Sequence, residues 1–459
     1  MTRDGDLLVR NATVWSGGSW AGPRDISVRD GRISSIAPPG ETVAAPGIRT
    51  LNATGCHALP GFINTHTHLF QALLRGVADG KGLGDWLLAV TGAYIAADPE
   101  QAYVAAACAA AEALRSGATT IVEHGHPHPN REFHEAIITA VDDVGVRAVY
   151  CRGVADRADP AREWGFEPRL LEPYEDQLAH VEELAVRFSV PGSRLTAGLA
   201  APNPRSLSPD GMRGARELSD RYGLCVSVHV CETGLDDRAC LAHTGKRALP
   251  YLDEHDFLWD RFLGVHCVQV LPEHRALMAA RRCGVSYNPI SNLRLGSGFA
   301  PIPEFLNLDV QVGLGVDGAA SNDTQDMFEA IRYGAYVQRG RLADADALSA
   351  QAMLRMATTG CNSVIGVEPR PKGLQPGLQA DMLLIRFDRD LSSVPFVDPT
   401  VTLLTQATSR TVEAVVVGGE VVVENGRCTR VDEEDLIRRM VHLGASSPFR
   451  GIEGDAVRP

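Results

Sequence analysis

The sequence predicts an α/β protein: a distorted (β/α)8 TIM barrel with a small composite β-sandwich domain formed by both ends of the chain. The first observation is an alternation in the middle of the sequence, where eight short apolar runs are separated by stretches of helical character. The second is a set of strand-like runs near each end. Alternating β/α units of this kind are typical of a closed parallel barrel.

The eight predicted barrel strands are short apolar runs at residues 58–63, 119–122, 148–150, 195–199, 225–228, 262–265, 285–287 and 312–316. Helical character lies between them, for example at residues 105–114 and 132–141. Strands that are buried on both faces have continuous apolar runs rather than alternating ones. The barrel is therefore predicted to occupy residues 58–370.

The remaining domain is predicted from strand-like runs on both sides of the barrel, separated by turn residues. They lie at residues 7–10, 12–15, 26–28 and 33–36, and again at 380–385, 412–416 and 421–423. Gly418-Gly419 joins the last two runs into a predicted hairpin. We therefore expect one β-domain assembled from residues 1–57 and 371–459, with a terminal helix.

Composition and charge argue against several classes of partner and several cellular locations. The net charge of −13 makes a nucleic-acid backbone an unfavourable partner. No apolar run is long enough for a membrane helix, and Met1 to Asp6 lack the basic-then-apolar pattern of a signal peptide. The ten cysteines are scattered without a Cys-x-x-Cys pair, which indicates reduced thiols. We expect a cytoplasmic protein that contacts neither nucleic acid nor membrane.

Four potential metal ligands follow predicted barrel strands. His66 and His68 follow the first strand, His229 the fifth and Asp317 the eighth. Residues i and i+2 of an extended chain point to the same side, so the two histidines of the His-Thr-His segment can bind one ion. Three imidazoles and one carboxylate suit zinc and leave a position for water. One Zn²⁺ per chain is predicted, with Fe²⁺ and Mn²⁺ as alternatives.

Two further polar residues are predicted to act on the water. Glu232 lies three residues after His229 and is predicted to move protons as a general acid and base. His266 follows the sixth strand and could hold a second metal ion instead. A two-metal barrel usually needs a bridging carboxylate or modified lysine, and the fourth strand contains neither. His266 is therefore predicted to orient and polarise the water or the developing oxyanion.

Several other suggestive residues are interpreted as structural. His124, His126 and His128 follow the second strand, but the metal site is complete without them. Cys231 and Cys267 flank site residues, and no base remains to activate either thiol. We expect packing roles for all five.

The segments that contain these residues resemble motifs of the amidohydrolase superfamily, in the branch of guanine, 8-oxoguanine and S-adenosylhomocysteine deaminases and triazine hydrolases. The resemblance covers essentially the whole chain and is carried, in sequence order, by Pro60 to His68 with Gln71 and Arg75, His229 to Thr233, Val265 to Cys267, Asn288 to Gly298, Gly315 to Asp323 and Gly373 to Asp381. It implies His66, His68, His229 and Asp317 as ligands, and Glu232 and His266 as the groups that act on water.

The predicted function is hydrolytic deamination of an aminated N-heterocycle, with Glu232, His266 and Asp317 as catalytic residues. Hydrolysis of s-triazines with loss of chloride or an alkylamine is an alternative, as is deamination of adenosine or S-adenosylhomocysteine. A non-catalytic barrel is a remote alternative, since a degenerate member would be expected to lose part of this residue set. The partners are then a small heterocycle and water, and we expect a homo-oligomer.

Substrate contacts are predicted from residues that follow the first, third and seventh barrel strands, namely Gln71, Trp86, Tyr94, Arg152, Asn288 and Asn292. Nucleoside-type members of the branch carry a glutamate for the ribose hydroxyls, at a place that corresponds to about Ile95. No glutamate occurs between His68 and Pro99. Because buried hydroxyls without an acceptor are costly, a free base is predicted: an oxidised purine, a pterin or a pyrimidine.

Overall fold

The computed structural model describes residues 6–42, 44, 46–369 and 373–446. Met1 to Gly5, with which the predicted β-domain begins, lie outside the described residues, as do residues 370–372 and 447–459. The strands of the described chain are β1 (Leu7–Ser16), β2 (Ser19–Arg29), β3 (Arg32–Ala37), β4 (Arg49–Asn52), β5 (His57–Pro60), β6 (Phe62–Thr67), β7 (Ala118–His124), β8 (Arg147–Gly153), β9 (Leu195–Ala201), β10 (Cys225–Val230), β11 (Phe262–His266), β12 (Gly284–Tyr287), β13 (Gln311–Leu314), β14 (Met382–Ile385), β15 (Val412–Val417), β16 (Glu420–Glu424) and β17 (Arg427–Cys428).

The helices of the same residues are α1 (Leu83–Ala96), α2 (Pro99–Arg115), α3 (Arg131–Val144), α4 (Tyr174–Phe188), α5 (Pro209–Tyr222), α6 (Leu235–Thr244), α7 (Ala248–Glu254), α8 (Pro272–Ala280), α9 (Pro289–Arg294), α10 (Ile302–Leu306), α11 (Met327–Leu342), α12 (Ala350–Thr358), α13 (Pro399–Thr405) and α14 (Glu433–Ser446). Local sequence sets their ends. Asp98 and Gln101 form a capping box at the start of α2, and Gly145 ends α3 in the left-handed region.

Strands β6 to β13 form a closed parallel barrel, in which β6 lies between β13 and β7. This confirms the predicted fold class. Val122, Val149, Ala200 and Leu263 fill the interior, together with residues of the turn that follows α12, such as Ile365. The interior is thus a packed core, and the carboxyl ends of the strands are left to carry polar residues.

The other strands form one connected sheet in the order β17-β16-β15-β14-β5-β1-β2-β3, with β4 paired to β1. The sheet draws on both ends of the chain, as predicted, and strands of both ends share an apolar core. The hairpin around Gly418-Gly419 is confirmed by the pairing of β15 with β16. The runs 7–10 and 12–15, however, form one strand, which a bulge between Val9 and Ala12 interrupts.

The chain passes from this sheet into the barrel at Gly61, which separates β5 from β6. The predicted first barrel strand, 58–63, therefore belongs partly to the sheet, where β5 pairs with β14. A Cβ atom on Gly61 would lie 2.0 Å from the Thr119 side chain, so this close crossing requires glycine. The predicted barrel strand thus ends too early, and the observed strand β6 reaches Thr67.

The cysteines and the helices bear on the predicted environment of the protein. All ten cysteines are free thiols, and nine of them are buried. No helix in the described part of the chain has the length and apolar character needed to cross a bilayer.

Candidate active site

A cavity of about 410 Å³ opens at the carboxyl ends of the barrel strands. Its walls come from α1 and from the segments that follow β7 to β10 and β12, and three predicted metal ligands, His68, His229 and Asp317, also line it. The residues that line the cavity include His68, Trp86, His126, Arg162, Glu163, Phe166, Asn203, Arg205, His229, Glu232, Asp236, His266 and Asp317.

The four predicted metal ligands lie close together, although His66 is fully buried and does not line the cavity. The Nε2 atoms of His68 and His229 are 3.2 Å apart. Asp317 Oδ1 lies 3.2 Å from His66 Nε2 and 3.6 Å from His68 Nε2. The donor atoms of His66, His68 and His229 all lie within 4.8 Å of one another. Strands β6 and β10 and the segment after β13 therefore bring three imidazoles and a carboxylate together.

The second ring nitrogens of these histidines set their tautomers. His68 Nδ1 donates to the carbonyl oxygen of His124 over 2.6 Å, and His229 Nδ1 donates to that of Pro202 over 3.0 Å. The Nε2 lone pairs then face the cluster, as in protein metal sites. Both ring nitrogens of His66 are buried without a hydrogen-bond partner. A metal ion at this point would give His66 Nε2 the partner that it lacks.

Burial lowers the pKa of His66, His68 and His229, which favours the neutral ligand form. Burial alone would raise the pKa of Asp317, but its contacts with the neighbouring histidines hold that pKa well below its usual range. Asp317 also accepts hydrogen bonds from Ser291 Oγ, Ser321 Oγ and the Gly318 amide. Neutral imidazoles and one ionised carboxylate fit a divalent transition metal such as zinc.

Glu232 and His266 lie beside this cluster. Glu232 Oε2 is 3.7 Å from His266 Nε2, which is itself 3.9 Å from Asp317 Oδ2. Burial raises the pKa of Glu232, while Ser297 Oγ donates to its Oε1 over 3.0 Å. The two groups therefore face the same small volume as the ligands, where they can act on a water molecule.

The tautomer of His266 is also set by a neighbour. Its Nδ1 donates to Asn292 Oδ1 over 2.9 Å, and Asn288 Nδ2 lies 3.5 Å from the same nitrogen. In the neutral ring Nε2 is then an acceptor. The predicted role of His266 in orienting the water stays a prediction.

The backbone is strained where these groups attach. Cys231, His266, Cys267 and Asp317 have φ values of 53°, 71°, 49° and 69°, in the left-handed region that residues with a Cβ disfavour. Such positions cluster at functional sites, where the surrounding structure holds them. The strain thus coincides with the residues that carry the chemistry.

A model of the amidohydrolase family matches residues 57–422 of the sequence. The chain belongs to the amidohydrolase family. The 5-methylthioadenosine/S-adenosylhomocysteine deaminase of Aquifex aeolicus is 31% identical over 441 residues, which cover 95% of this chain and 96% of that protein. The 8-oxoguanine deaminase of Pseudomonas aeruginosa is 32% identical over 427 residues, which cover 92% and 93% of the two chains.

The fold is shared with solved structures of the same kind. A variant of atrazine chlorohydrolase from Arthrobacter aurescens TC1, complexed with zinc and atraton, has a TM-score of 0.88 at 25% identity, and the match covers 95% of this amidohydrolase and 100% of that chain. The branch predicted from the motifs is confirmed. This amidohydrolase is a hydrolase that acts on C–N bonds, and its family and structural neighbours support a divalent metal ion as its cofactor.

Among the six predicted substrate contacts, Trp86 lines the cavity of the amidohydrolase, and its Nε1 donates to the carbonyl oxygen of Ala320. The other five lie outside the lining. Asn288 and Asn292 contact His266, as described above. Substrate contact by these five residues stays a prediction, and their observed neighbours favour supporting roles.

Gln71, Tyr94 and Arg152 are the other three predicted contacts outside the lining. The side chain of Gln71 packs against Gly318, where a Cβ atom would lie 2.0 Å from Gln71 Oε1. Tyr94 stacks near Phe70 within the apolar core. Arg152 is buried and forms an ion pair with Glu172, away from the cavity. All three side chains are buried, and none of them is among the residues that line the cavity.

The three histidines after β7 differ in their contacts. His124 Nδ1 hydrogen bonds with Ser227 Oγ over 2.9 Å, and its backbone oxygen accepts from His68. His128 Nε2 contacts the carbonyl oxygen of Tyr94 at 3.2 Å. His126 lines the cavity, with its ring stacked 4.9 Å from that of His68. Packing roles hold for His124 and His128, whereas His126 forms part of the wall.

Sequence reasoning missed most of the outer wall. Arg162 and Phe166 come from the long segment after β8, and Asn203 and Arg205 from the segment after β9. None of these segments has a periodic pattern, and no motif marks them. The one available signal for Arg205 was its position soon after the fourth barrel strand, since residues that follow strands in this way reach the active-site end of a barrel.

Proposed function

We propose that this amidohydrolase is a zinc-dependent deaminase that hydrolyses an aminated N-heterocycle and releases ammonia. One observation carries the proposal. Three neutral histidines and the ionised Asp317 converge beside a cavity that Glu232 and His266 also line. A ligand set with a general acid–base group beside it is the arrangement that hydrolysis at a ring carbon requires.

The proposed ligands of zinc are His66, His68, His229 and Asp317. When bound there, zinc supplies a Lewis acid that brings the pKa of a coordinated water toward 7. Glu232 takes a proton from the attacking water and delivers it to the ring nitrogen adjacent to the aminated carbon. His266 Nε2 accepts a hydrogen bond from that water and so orients it.

The second half of the reaction expels the amine. The water oxygen has joined the ring carbon, and the C–NH₂ bond must break. Asp317, with His266, collects the remaining proton of the attacking oxygen and passes it to the amine, which leaves as ammonia. The heterocycle gains a carbonyl oxygen and a ring N–H, so one water is consumed for each ammonia released.

The proposed substrate is a free base, in particular an oxidised purine, a pterin or a pyrimidine. The face of α1 in the cavity offers Leu83, Trp86 and Leu87, and none of these residues accepts a ribose hydroxyl. Asp236 is paired with Arg205, which leaves Glu163, at the exposed rim, as the one carboxylate among the described lining residues that has neither this partner nor a catalytic role.

A nucleoside is the second candidate, because relatives named for 5-methylthioadenosine and 5'-deoxyadenosine match most of the chain. Glu163 is the residue that would then hold the ribose hydroxyls. Changing Glu163 to Gln would lower kcat/KM for the nucleoside and leave that for the free base unaltered.

An ammonia-release screen tests the proposal directly. Zinc-loaded enzyme would be assayed against oxidised purines, pterins, pyrimidines, adenosine derivatives and amino-triazines, with chloride release as a separate readout for chlorinated triazines. We expect the highest kcat/KM for a free base. A nucleoside that exceeded every free base would refute the substrate class, and chloride release without ammonia release would refute deamination.

The identity of the metal ion, the oligomeric state and the cellular location need separate tests. Enzyme stripped by a chelator would be reloaded with zinc, iron or manganese, and zinc is expected to restore the most activity at one ion per chain. We also propose a cytoplasmic homo-oligomer, which light scattering of the purified protein and fractionation of its host cells would check.

A further inference from the structure

The wall of the active-site cavity contains a buried ion pair between two neighbouring loops. Arg205, after β9, donates from Nη1 to Asp236 Oδ1 over 2.9 Å. Asp236 lies in the first turn of α6, after β10, and the two residues are only 5% and 8% exposed. Both line the cavity, although neither belongs to the proposed ligand set.

The second oxygen of Asp236 holds the backbone next to Glu232. Asp236 Oδ2 accepts a hydrogen bond from the Cys231 amide over 2.9 Å. Cys231, with its φ of 53°, is in the left-handed region, which costs a residue with a Cβ roughly 1–2 kcal/mol. The hydrogen bond that Cys231 donates to Asp236 offsets part of that cost and fixes the peptide between Val230 and Cys231, one residue before Glu232.

Further hydrogen bonds form a network around Glu232. The Gln269 amide donates to the Cys231 carbonyl oxygen over 2.7 Å, and Gln269 Nε2 donates to the Ser297 carbonyl oxygen over 2.9 Å. Ser297 Oγ in turn donates to Glu232 Oε1. Glu232 is thus held at its backbone through Asp236 and at its carboxylate through Ser297.

A buried ion pair is weak evidence for a role in stability, because the cost of desolvating two charges offsets most of their attraction. The ion pair between Arg205 and Asp236 instead affects the geometry of the active site. Arg205 fixes the orientation of the Asp236 carboxylate, and that orientation decides whether Oδ2 meets the Cys231 amide.

We propose that Arg205 and Asp236 are positioning residues for Glu232: the ion pair between them locks the Cys231 peptide and thereby sets the place from which Glu232 moves protons. The inference rests on the proposed function, in which Glu232 is the proton-transfer group. It assigns no contact with substrate to either residue.

The test is a double-mutant cycle with Glu232. Asp236→Ala would be measured alone and in the Glu232→Gln background, with the best substrate of the ammonia screen. A misplacement of about 1 Å can cost on the order of 100-fold in rate, so we expect kcat to fall by roughly 10- to 100-fold with KM changed less than about twofold. In the Glu232→Gln background the same change should alter the residual kcat by less than about threefold.

Two further variants keep the test independent of folding. Arg205→Lys retains the charge but not the fixed geometry of the guanidinium, and it should show the same dependence on Glu232 if Asp236→Ala does not fold. The double variant that combines Arg205→Met with Asp236→Asn removes both charges and keeps an oxygen for the Cys231 amide. Because no guanidinium then fixes the orientation of residue 236, kcat should fall as it does in Asp236→Ala, and a recovery of kcat would overturn the positioning role of Arg205.

A second buried ion pair provides a matched control. Arg147 Nε lies 2.9 Å from Asp381 Oδ2, where the amino end of β8 meets the segment that leads into β14, away from the active-site cavity. Asp381→Asn should lower Tm and leave kcat unchanged, whereas the Arg205 and Asp236 variants should lower kcat and keep one metal ion per chain.

The outcomes separate the two proposals. If Glu232→Gln keeps full turnover, the proposed function is wrong. If Glu232→Gln is inactivated but Asp236→Ala costs the same factor in both backgrounds, the positioning role is wrong and the proposed function stands. A rise in KM without a fall in kcat would also overturn the positioning role, since it would show that the pair contacts substrate.

Discussion

Replacement of Glu232 by Gln removes the proposed proton carrier with little change of shape. Ser297 Oγ can still donate to the amide oxygen that replaces Oε1, so the side chain should keep its place. Glu232 Oε2 lies 3.7 Å from His266 Nε2, and Glu232 is not in the proposed ligand set. We therefore expect the variant to bind one metal ion per chain, as the wild type does.

The size of the effect follows from what the carboxylate is asked to do. General acid–base groups contribute roughly 10²- to 10⁴-fold to the rate. At 1.36 kcal/mol for each factor of ten, this corresponds to about 3–5 kcal/mol of the activation barrier. The loss should appear in kcat, because an interior carboxylate that is 6% exposed adds little to the binding of the uncharged ring.

The assay measures ammonia release and metal content on the same preparations. Wild type, Glu232→Gln and Glu232→Asp would be compared at saturating substrate, with elemental analysis of each sample. Turnover of Glu232→Gln within a factor of ten of wild type would refute the proton-transfer role. Loss of the metal ion in this variant would show that Glu232 binds it, and the ligand set would then be wrong.

Three further changes are expected to have distinct results. His68→Ala should lose both the metal ion and activity, and two equivalents of metal in active wild-type enzyme would contradict the single site. Asn292→Leu removes the oxygen that accepts the hydrogen bond from the Nδ1–H of His266, which costs about 1–3 kcal/mol and should lower kcat by roughly 5- to 150-fold at constant KM; a rise in KM alone would instead indicate substrate contact. Burial raises the pKa of Glu123 to about 8, so its proton is retained in the folded state and lost in the unfolded state between pH 4.5 and 8. Stability should therefore fall across this window, and Tm scans should show a smaller fall for Glu123→Gln, whose oxygen still accepts from the Leu69 amide.

The sequence was sufficient for the barrel and for the residues at its strand ends. Continuous apolar runs predict buried parallel strands, and a strand end fixes which side of the barrel a residue faces. His66, His68, His229 and Asp317 could be grouped in this way because each needs only a strand and a position. The same reasoning placed the first barrel strand too early, since the apolar run continues through Gly61 from one sheet into the other.

The substrate wall could not be predicted in the same way. Asn288 and Asn292 follow a barrel strand, and their position is as expected, but the direction of each side chain depends on the backbone of the short helix α9. That geometry turns both amides toward His266. Arg162 and Phe166 lie in a long segment whose path is set by tertiary contacts, such as the hydrogen bond from Arg162 to Thr91 of α1. Neither periodicity nor strand position carries this information.

The electrostatics of the site join the metal ion to the acid–base group. Without a cation, burial and the neighbouring Asp317 and Asp236 favour the protonated form of Glu232, as the raised pKa shows. A divalent cation held by Asp317 changes the sign of the local field and favours the carboxylate. The bound ion would therefore lower the pKa of Glu232 and favour the form that accepts a proton from water. Burial alone disfavours the ionised form of Glu232, and the ion that would activate the water would also offset that cost.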